Sequence, residues 1–311
     1  MPRHVVFGLG AGAFWGLTFI APVFLGPFTT LDLTVVRYLV FGLVSVGALF
    51  VLRFNPFRQL DARGWWRIVG LGLTGNTLFY LALSSGVAFA GSAPVALIIG
   101  TLPIAMIVAG NIRRKTIAWR RLFGPMAVLA AGLAFTGMAA LSEEGAAASG
   151  GLVALGIALG LVAVFSWLAY GIVNGEYLAD HPGTGVILWT ALTGLGTLIT
   201  VPPLVLAAVV VGRADPVVSG DVAVLLFWGV VLGLGSTWAA TWLWNKASSG
   251  LSTTVLGLLV VSQTVFAMIF VCLLETRLPT LSETTSILLI VIGVGWGLRA
   301  AAASRAVRVR A

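Results

Sequence analysis

The amino-acid sequence predicts an all-α polytopic membrane protein, with ten transmembrane helices arranged as two inverted five-helix repeats around a central cavity. Three observations predict this fold class. Of the 311 residues, 59% are hydrophobic and only 9% are charged, whereas a soluble domain is roughly 25% charged. Ten apolar runs are each about long enough to cross a bilayer. The basic residues between these runs fall almost entirely on one side, which orients the chain.

The ten apolar runs define the predicted spans, since a spanning helix needs about 20 mostly apolar residues. The runs are residues 4–24, 31–53, 65–88, 92–111, 119–141, 151–174, 184–211, 221–245, 251–273 and 280–303. The first run is longer than the ~7–15-residue core of a signal peptide, so we interpret it as a span. Pro202-Pro203 in the seventh run predicts a bend or an early end.

The positions of Lys and Arg predict the orientation. If the runs are spans, 15 of the 18 Lys and Arg residues lie on the side of the N-terminus. Arg213 and Arg277 lie on the other side, and Arg37 lies inside the second run. The positive-inside rule therefore predicts that both termini are cytoplasmic. Because the basic residues lie in short loops, the net charge of +8 indicates topology rather than a nucleic-acid-binding surface.

A weak internal repeat divides the chain into two units. The matching positions are Phe14-Trp15 with Ser166-Trp167, 152 residues apart, and Asn76 with Thr237 and Gly132 with Gly293, 161 residues apart. The spacing of the spans repeats together with these residues. We therefore predict a first five-helix repeat over residues 1–145 and a second over 146–311. An odd number of spans per unit inverts the second unit relative to the first.

Signatures of catalysis and metal binding do not occur in the sequence. It has no G-x-x-x-x-G-K-[ST] or H-E-x-x-H motif, and His4 and His181 lie outside the runs or at their edges. Cys272 lies in an apolar run and is interpreted as a buried, inert thiol. No catalytic residue, cofactor or metal is predicted, and an enzyme is not expected. An intramembrane enzyme and a retinal-type receptor are disfavoured alternatives, because no nucleophile–base pair lies in the spans and Lys115 and Lys246 lie at span ends.

Aromatic and neutral polar residues near the middle of the spans are the candidate binding residues. Trp and Tyr at that depth need a hydrogen-bond partner or water, and Asn and Gln are costly there unless they are paired or face a cavity. The candidates are Trp15, Phe19, Asn76, Tyr80, Thr101, Trp167, Tyr170, Thr237, Trp238, Trp242, Ser262 and Gln263. As a set they predict an aromatic-lined cavity for a flat, amphipathic small molecule. For any single residue, packing between helices is the alternative.

Arg37 is the exception to the uncharged span centres. It lies one to two turns into the second run from the predicted outer side. Two interpretations stay open: the side chain snorkels outward, or it is a vestibule charge that attracts a substrate carboxylate. Every Asp and Glu maps to a loop or a span end. The lack of a central carboxylate favours facilitated passage over obligatory ion coupling.

Several local motifs resemble those of the drug/metabolite transporter (DMT) superfamily, EamA type. These are Phe14-Trp15-Gly16, the Thr101-Leu102-Pro103 step in the fourth run, and the Glu275 region followed by a glycine-rich run around Gly293. Within the superfamily the chain is similar to the YddG-type exporters of aromatic amino acids. The resemblance implies a basket of ten helices with a central cavity, alternating access, and export across a bacterial inner membrane. It also implies that spans 1, 3, 4, 6, 8 and 9 line the cavity.

The sequence departs from this pattern at Ser262-Gln263-Thr264, where many relatives carry Leu-Glu-Pro. The resemblance therefore does not extend to proton coupling. We expect an exporter of small amphipathic metabolites, above all aromatic and other neutral amino acids. Its expected partners are that substrate and the lipid bilayer, with no nucleic acid; a monomer is sufficient, and the oligomeric state is left open. The alternative within transport is a multidrug or quaternary-amine exporter, because aromatic boxes bind cations, although such proteins usually add a buried carboxylate.

Overall fold

The computed structural model describes residues 1–26, 28–143, 151–211 and 222–310, and all regular structure within them is helical. The helices are α1 (Pro2–Gly16), α2 (Thr30–Val51), α3 (Pro56–Gln59), α4 (Ala62–Gly72), α5 (Leu78–Ala90), α6 (Ser92–Gly100), α7 (Leu102–Arg114), α8 (Trp119–Glu143), α9 (Gly151–Asp180), α10 (Val186–Ile199), α11 (Val201–Val211), α12 (Val222–Leu232), α13 (Ala240–Ser248), α14 (Thr253–Val260), α15 (Ser262–Leu274) and α16 (Leu281–Arg310). The predicted boundary between residues 145 and 146 and the loop residue Arg213 lie outside the described residues.

Seven helical segments are long and apolar enough to cross a membrane. They are Thr30–Val51, Ala62–Ala90, Pro94–Arg114, Leu152–Asp180, Val222–Ser248, Thr253–Leu274 and Leu281–Arg305. Large apolar side chains such as Phe50, Phe165 and Phe227 are exposed on their outer surfaces. Lipid is the solvent that such a surface requires. The predicted all-α membrane class is therefore confirmed, with seven spans identified by length and composition among the described residues where ten were predicted.

The other three predicted runs form α1, α8 and the pair α10–α11. Helix α1 has 15 residues and is followed by two 3₁₀ turns, Leu17–Phe19 and Ala21–Phe24. The seventh run is divided as its two prolines predict: α10 ends at Ile199 and α11 begins at Val201, immediately before Pro202. Proline is tolerated there because the first turn of a helix has no intrahelical partner for its N–H groups.

Glycines allow the closest helix contacts. Gly8, Gly12 and Gly16 all lie on the face of α1 that meets α14 and α15. A Cβ added at Gly16 would lie 2.9 Å from Phe266 Cβ, and one at Gly12 would overlap the Ser262 hydroxyl. Small residues spaced by four therefore bring these helix backbones together, which is how helices commonly associate in lipid.

Helices from the two ends of the sequence interleave. Helix α1 packs on α13 and α15, whereas α9 packs on α5, α6 and α7; α2 packs on α10, and α8 packs on α16. In the last pair, a Cβ at Gly132 would lie 3.0 Å from Ile290, and a Cβ at Gly293 would lie 2.7 Å from Leu129. These two contacts exchange under the 161-residue offset, because Leu129 corresponds to Ile290 as Gly132 does to Gly293.

Two of the long segments contain a π turn. Leu73–Thr77 joins α4 to α5, and Gly233–Ala239 joins α12 to α13, so the two turns begin 160 residues apart (233 minus 73). A π turn inserts an extra residue and disturbs the regular carbonyl partners of the helix, and such turns are frequent at functional sites. Hydroxyl groups bond to carbonyls here: Ser166 Oγ donates to Thr74 O at 2.8 Å, and Thr237 Oγ1 donates to Leu232 O at 3.0 Å.

Candidate substrate-binding site

Four aromatic side chains form one cluster where α1, α9 and α13 meet. The Trp15 ring centroid lies 5.9 Å from that of Trp167 and 5.1 Å from that of Trp244, and Trp167 lies 5.7 Å from Trp244. Tyr170 extends the cluster, 5.8 Å from Trp167. The rings meet edge-on or tilted, which is the arrangement that their quadrupoles favour. The structure thus brings together three predicted residues, Trp15, Trp167 and Tyr170, with a fourth that was not predicted.

The first π turn packs directly against this aromatic cluster, and the second packs against a neighbouring ring. Gly75, in the first π turn, lies directly against the Tyr170 ring, so that a Cβ there would collide with the ring. The Ser166 hydroxyl fixes α9 to the same turn through its bond to Thr74 O. Gly235, in the second π turn, faces Phe14, the neighbour of Trp15, at 3.4 Å from its added Cβ. Irregular backbone with glycine therefore makes room for the Tyr170 ring of the cluster and for Phe14 beside it.

Trp244 is the member of the cluster that sequence reasoning missed. The expected residues were Trp238 and Trp242, chosen because they are one helical turn apart. The second π turn ends between them, at Ala239, and its extra residue rotates the helix downstream of it. Within α13, Trp244 is fully buried among the rings, whereas Trp242 lies on another face and packs edge-on against Phe7 at 6.3 Å.

The remaining predicted residues of the second π turn and α13 lie outside the aromatic cluster. Lys246 Nζ lies over the Trp242 ring at 5.8 Å from the centroid. Thr237 uses its hydroxyl on the backbone of its own helix. The Trp238 indole Nε1 is buried and has no acceptor among the described residues, and the same is true of Trp242 and Trp244. Three donor-only indole groups therefore lie along one helical segment with no acceptor in the part of the chain that the structure describes.

Asn76 and Tyr80 face two different neighbours. Asn76 Nδ2 donates to Thr197 Oγ1 of α10 at 3.0 Å, so its amide is partly satisfied by a side chain that the sequence analysis did not single out. Tyr80, one helical turn later, meets Tyr38 edge-on at 5.7 Å. It also lies under a cation, because the Arg37 guanidinium carbon is 4.4 Å from the centre of its ring.

Arg37 is buried, with only 3% of its surface exposed. Its guanidinium lies over the rings of Tyr80 and Tyr38, at 4.4 and 5.0 Å from their centroids. Nη2 donates to Tyr38 Oη over a long 3.4 Å, and Nε has no partner among the described residues. The structure therefore differs from the snorkelling interpretation, because the long side chain turns into the protein and is held by aromatic rings.

The other four candidates lie near helix breaks or ends. Phe19, in the 3₁₀ turn after α1, is 54% exposed. Thr101 is exposed at the break between α6 and α7, and its hydroxyl donates to a carbonyl in the preceding turn. Ser262 and Gln263 begin α15 after the break at Val261; the Ser262 hydroxyl is buried without a partner in the described chain, and Gln263 is partly exposed. Among the described residues, the ring contacts that form the aromatic cluster include none of these four.

A buried hydrogen-bonded network was also not foreseen from the sequence. Trp189 Nε1 donates to Asn174 Oδ1 at 2.8 Å, Asn174 Nδ2 donates to Asn245 Oδ1 at 2.9 Å, and Asn245 Nδ2 donates to Thr190 Oγ1 at 3.0 Å. We call these four residues the amide network. It ties α9, α10 and α13 together beside the aromatic cluster: Asn174 lies one turn beyond Tyr170, and Asn245 directly follows Trp244. Each bond is buried, so each is stronger than at a surface.

Ion pairs lie at the end of α9 nearest the amide network. Arg113 holds Glu176 with two bonds, Nε to Oε1 at 2.6 Å and Nη2 to Oε2 at 2.8 Å. Arg114 donates to Asp180 at 3.1 Å. A surface depression of about 440 Å³ is lined by Arg113, Arg114 and Glu176. A second depression, of about 560 Å³, lies between α2 and the α10–α11 pair. Its lining is apolar, whereas that of the first depression is charged. Neither includes a predicted binding residue.

The apolar segments and the interleaved helices define an all-α membrane protein with a buried aromatic cluster. Comparison with known proteins agrees. The model of the EamA-like transporter family matches residues 3–142. Through this region the chain is similar to the EamA-like transporter family, and the predicted resemblance is confirmed. The helices are those of a multi-pass membrane protein, and the family that it resembles indicates transport rather than catalysis.

Two relatives extend the comparison over nearly the whole chain. Over 309 residues the chain is 29% identical to "Inner membrane protein YtfF" of Escherichia coli (strain K12), covering 96% of each protein. A solved crystal structure superimposes with a TM-score of 0.76 over 95% of this chain and 96% of that one, at 17% sequence identity. At that identity the likeness shows the fold alone.

Proposed function

We propose that this protein exports small amphipathic metabolites, most of all aromatic and other neutral amino acids, by alternating access. Two inverted five-helix repeats, residues 1–145 and 146–311, form the transporter and rock around a site between them. Both termini face the cytoplasm. The membrane is the bacterial inner membrane, as the name of the Escherichia coli relative suggests.

The observation that carries this proposal is the contact between Trp15 and Trp167. These residues occupy matching positions of the predicted repeats, 152 residues apart, and their rings meet at 5.9 Å. A pair of equivalent side chains can meet only near the axis that relates the two repeats. In transporters built from inverted repeats, substrates bind at that interface. Indole and phenol rings there suit a flat substrate, which they contact by stacking and by apolar burial.

Two further observations support the pair of repeats. The π turns begin 160 residues apart, and the α8–α16 contact is made twice under an offset of 161. Contacts also recur between corresponding helices: α1 packs on the segment of the second π turn, and α9 packs on the segment of the first. The charge distribution then gives the orientation, since 15 of 18 basic residues fall on one predicted side.

We further propose that passage does not require a coupling ion. Transporters driven by protons or sodium often carry a carboxylate near the bilayer centre. In this sequence Asp and Glu map to loops and span ends, and Gln263 stands where many relatives carry the glutamate of a Leu-Glu-Pro motif. Gln263 is partly exposed at the break between α14 and α15, which suits hydrogen bonding to a substrate rather than proton transfer.

A quaternary-amine or multidrug exporter is the second candidate. The observation in its favour is the aromatic cluster itself, because indole faces attract cations. The substrates of the two candidate functions differ in their charged groups: an aromatic amino acid carries a carboxylate and an ammonium group, whereas a quaternary amine carries only the positive charge.

Counterflow into liposomes that contain the purified protein tests the proposal. Labelled tryptophan, phenylalanine and choline are offered singly, with and without a proton or sodium gradient. We expect exchange of tryptophan and phenylalanine, weak exchange of choline, and no acceleration by either gradient. Exchange of choline alone would favour the second candidate. Exchange of none of the three would refute amino-acid export, and a rate that depends on a gradient would refute uncoupled passage.

A further inference from the structure

We propose that Arg37, held between Tyr38 and Tyr80, is the binding site for the carboxylate of the transported molecule. This inference rests on the proposed function and narrows its substrate class to small organic molecules that carry a carboxylate. Amines with the same ring but without that group are then poor substrates.

The first argument is the missing counter-charge. A buried cation is costly in a membrane protein unless it is paired. In the described ranges the ion pairs involve Arg113, Arg114 and Arg277, all near helix ends, and none involves Arg37. Asp32, on the same helix, is already engaged: its carboxylate accepts bonds from the Thr29 backbone N–H at 2.9 Å and the Thr29 hydroxyl at 2.8 Å.

The second argument is the unused hydrogen-bonding capacity of the guanidinium. Arginine has five N–H donors in a planar fork whose geometry matches a carboxylate. Here the bond from Nη2 to Tyr38 Oη is long at 3.4 Å, and the other phenol in contact with the guanidinium is that of Tyr80. Nε is buried without an acceptor in the described chain. A buried donor without an acceptor calls for an explanation, and a bound carboxylate would supply one.

The third argument is the construction of the site. The rings of Tyr38 and Tyr80 hold the guanidinium from two directions at 5.0 and 4.4 Å. The second π turn packs against the backbone behind it, where a Cβ on Gly233 would lie 2.9 Å from Arg37 O. Cation–π contacts offset part of the cost of the buried charge without satisfying its N–H groups. The fork is therefore fixed in place while Nε remains without an acceptor in the described chain.

The fourth argument connects Arg37 to the predicted binding residues. Tyr80 is only partly buried, and it follows Asn76 by one helical turn. The second π turn, which packs against the Arg37 backbone, also carries Trp238. The Trp238 Nε1 is another buried donor without an acceptor in the described chain. Unpaired groups that can only donate need a ligand that is rich in acceptors, and a carboxylate is the simplest such group in a metabolite.

Three indole compounds test the assignment by counterflow in proteoliposomes. Tryptophan carries both charges, indole-3-propionate carries only the carboxylate, and tryptamine carries only the ammonium. For the wild-type protein we expect exchange of the first two and at least about tenfold weaker exchange of tryptamine, since a charge-assisted bidentate contact is lost. Equal exchange of tryptamine and tryptophan would overturn the inference while leaving export of aromatic metabolites intact. No exchange of any probe would overturn the proposed function and this inference with it.

Variants of the site separate recognition from structure. Arg37→Gln is expected to lose about tenfold or more on the two carboxylates and to leave tryptamine unchanged, and Arg37→Lys should recover part of the loss. The matched control is Arg67→Gln: Arg67 also lies over a tyrosine ring, that of Tyr177 at 4.7 Å, but it is exposed. Wild-type KM and rate for tryptophan in Arg37→Gln would show that the cation is only structural.

Tyr38→Phe keeps the test decisive if Arg37→Gln does not fold. This change keeps the ring contact with the guanidinium and removes only the hydroxyl beside it. We expect an increase of about two- to fivefold in KM for tryptophan and indole-3-propionate, in line with the loss of one hydrogen bond near a charged group. The KM for tryptamine should not change. An equal change for all three probes would indicate a general packing defect and contradict the assignment.

Discussion

The amide network and the region around Arg37 bury polar groups in opposite ways. In the amide network both asparagine amides and the Trp189 indole have side-chain partners at 2.8 to 3.0 Å. Around Arg37 and the second π turn, Arg37 Nε and Trp238 Nε1 are buried without partners among the described residues. A satisfied network fixes one arrangement of its helices. An unsatisfied donor instead marks a place where the protein alone is incomplete.

This difference assigns separate tasks to the two regions. The amide network, with the adjacent Arg113–Glu176 pair, holds α7, α9, α10 and α13 together at one end of the molecule. The Arg37 region lies against the second π turn, toward the other end of α13. The first region is expected to respond to substitution mainly through stability, and the second mainly through transport.

The largest expected effect on stability is that of Asn174→Ala. The change removes the acceptor of Trp189 Nε1 and the donor to Asn245 at once. Each buried group left without a partner costs about 1–3 kcal/mol. Thermal unfolding of the protein in detergent should show a clear fall in Tm. Asn76→Ala, which breaks one bond to Thr197, is the comparison and should lower Tm by less. Equal falls would mean that the amide network has no special role.

The variants Trp15→Ala and Trp167→Ala should each reduce tryptophan exchange by about tenfold. Each removes a ring from the aromatic cluster, and with it aromatic contacts worth about 0.5–1.5 kcal/mol beyond burial. Rates and KM from counterflow measure the effect. Trp66→Ala is the matched control, since that ring is 78% exposed on α4. If the three variants transport alike, the site assignment is wrong.

Trp238→Phe should separate the two regions most clearly. Its Nε1 is buried without an acceptor in the described chain, so replacing the indole by an apolar ring removes an unsatisfied donor. Stability should then change by less than about 1 kcal/mol, while exchange of carboxylated substrates falls severalfold. A large loss of stability with normal exchange would reverse the distinction between the regions.

The smallest expected effect is that of Glu176→Gln. Its partner Arg113 is about half exposed, and pairs of this kind contribute about 0–1 kcal/mol. Raising the salt concentration should erase the difference from wild type in an unfolding experiment, because exposed charges are screened. A salt-independent loss would mean that the pair is part of the amide network rather than a surface contact.

The class of the fold could be predicted because lipid imposes a simple rule on sequence: long apolar runs become helices. The division at Thr200 followed from Pro202, and the meeting of Trp15 with Trp167 agrees with the repeat. Trp244 was missed because it lies on a different face of α13 from Trp242, and the sequence does not show which face meets α1 and α9.

The amide network and the burial of Arg37 were missed for a related reason. Asn174 and Asn245 are 71 residues apart, and their pairing depends on how three helices pack. A single sequence shows that both are polar residues at span ends, where water could satisfy them. For Arg37, the sequence places the residue near a span end but does not show which helix face meets Tyr80. Contacts between distant segments need the tertiary structure.

The cation–π setting of Arg37 has one consequence for the conditions under which the protein works. Arginine keeps its positive charge throughout the pH range that cells encounter. An anion-binding site built on histidine would lose its positive charge, and with it its affinity, in mildly alkaline surroundings. The Arg37 site does not depend on such a titration. Capture of the cargo should therefore be equally effective in acidic and neutral media, until the ligand itself gains a proton.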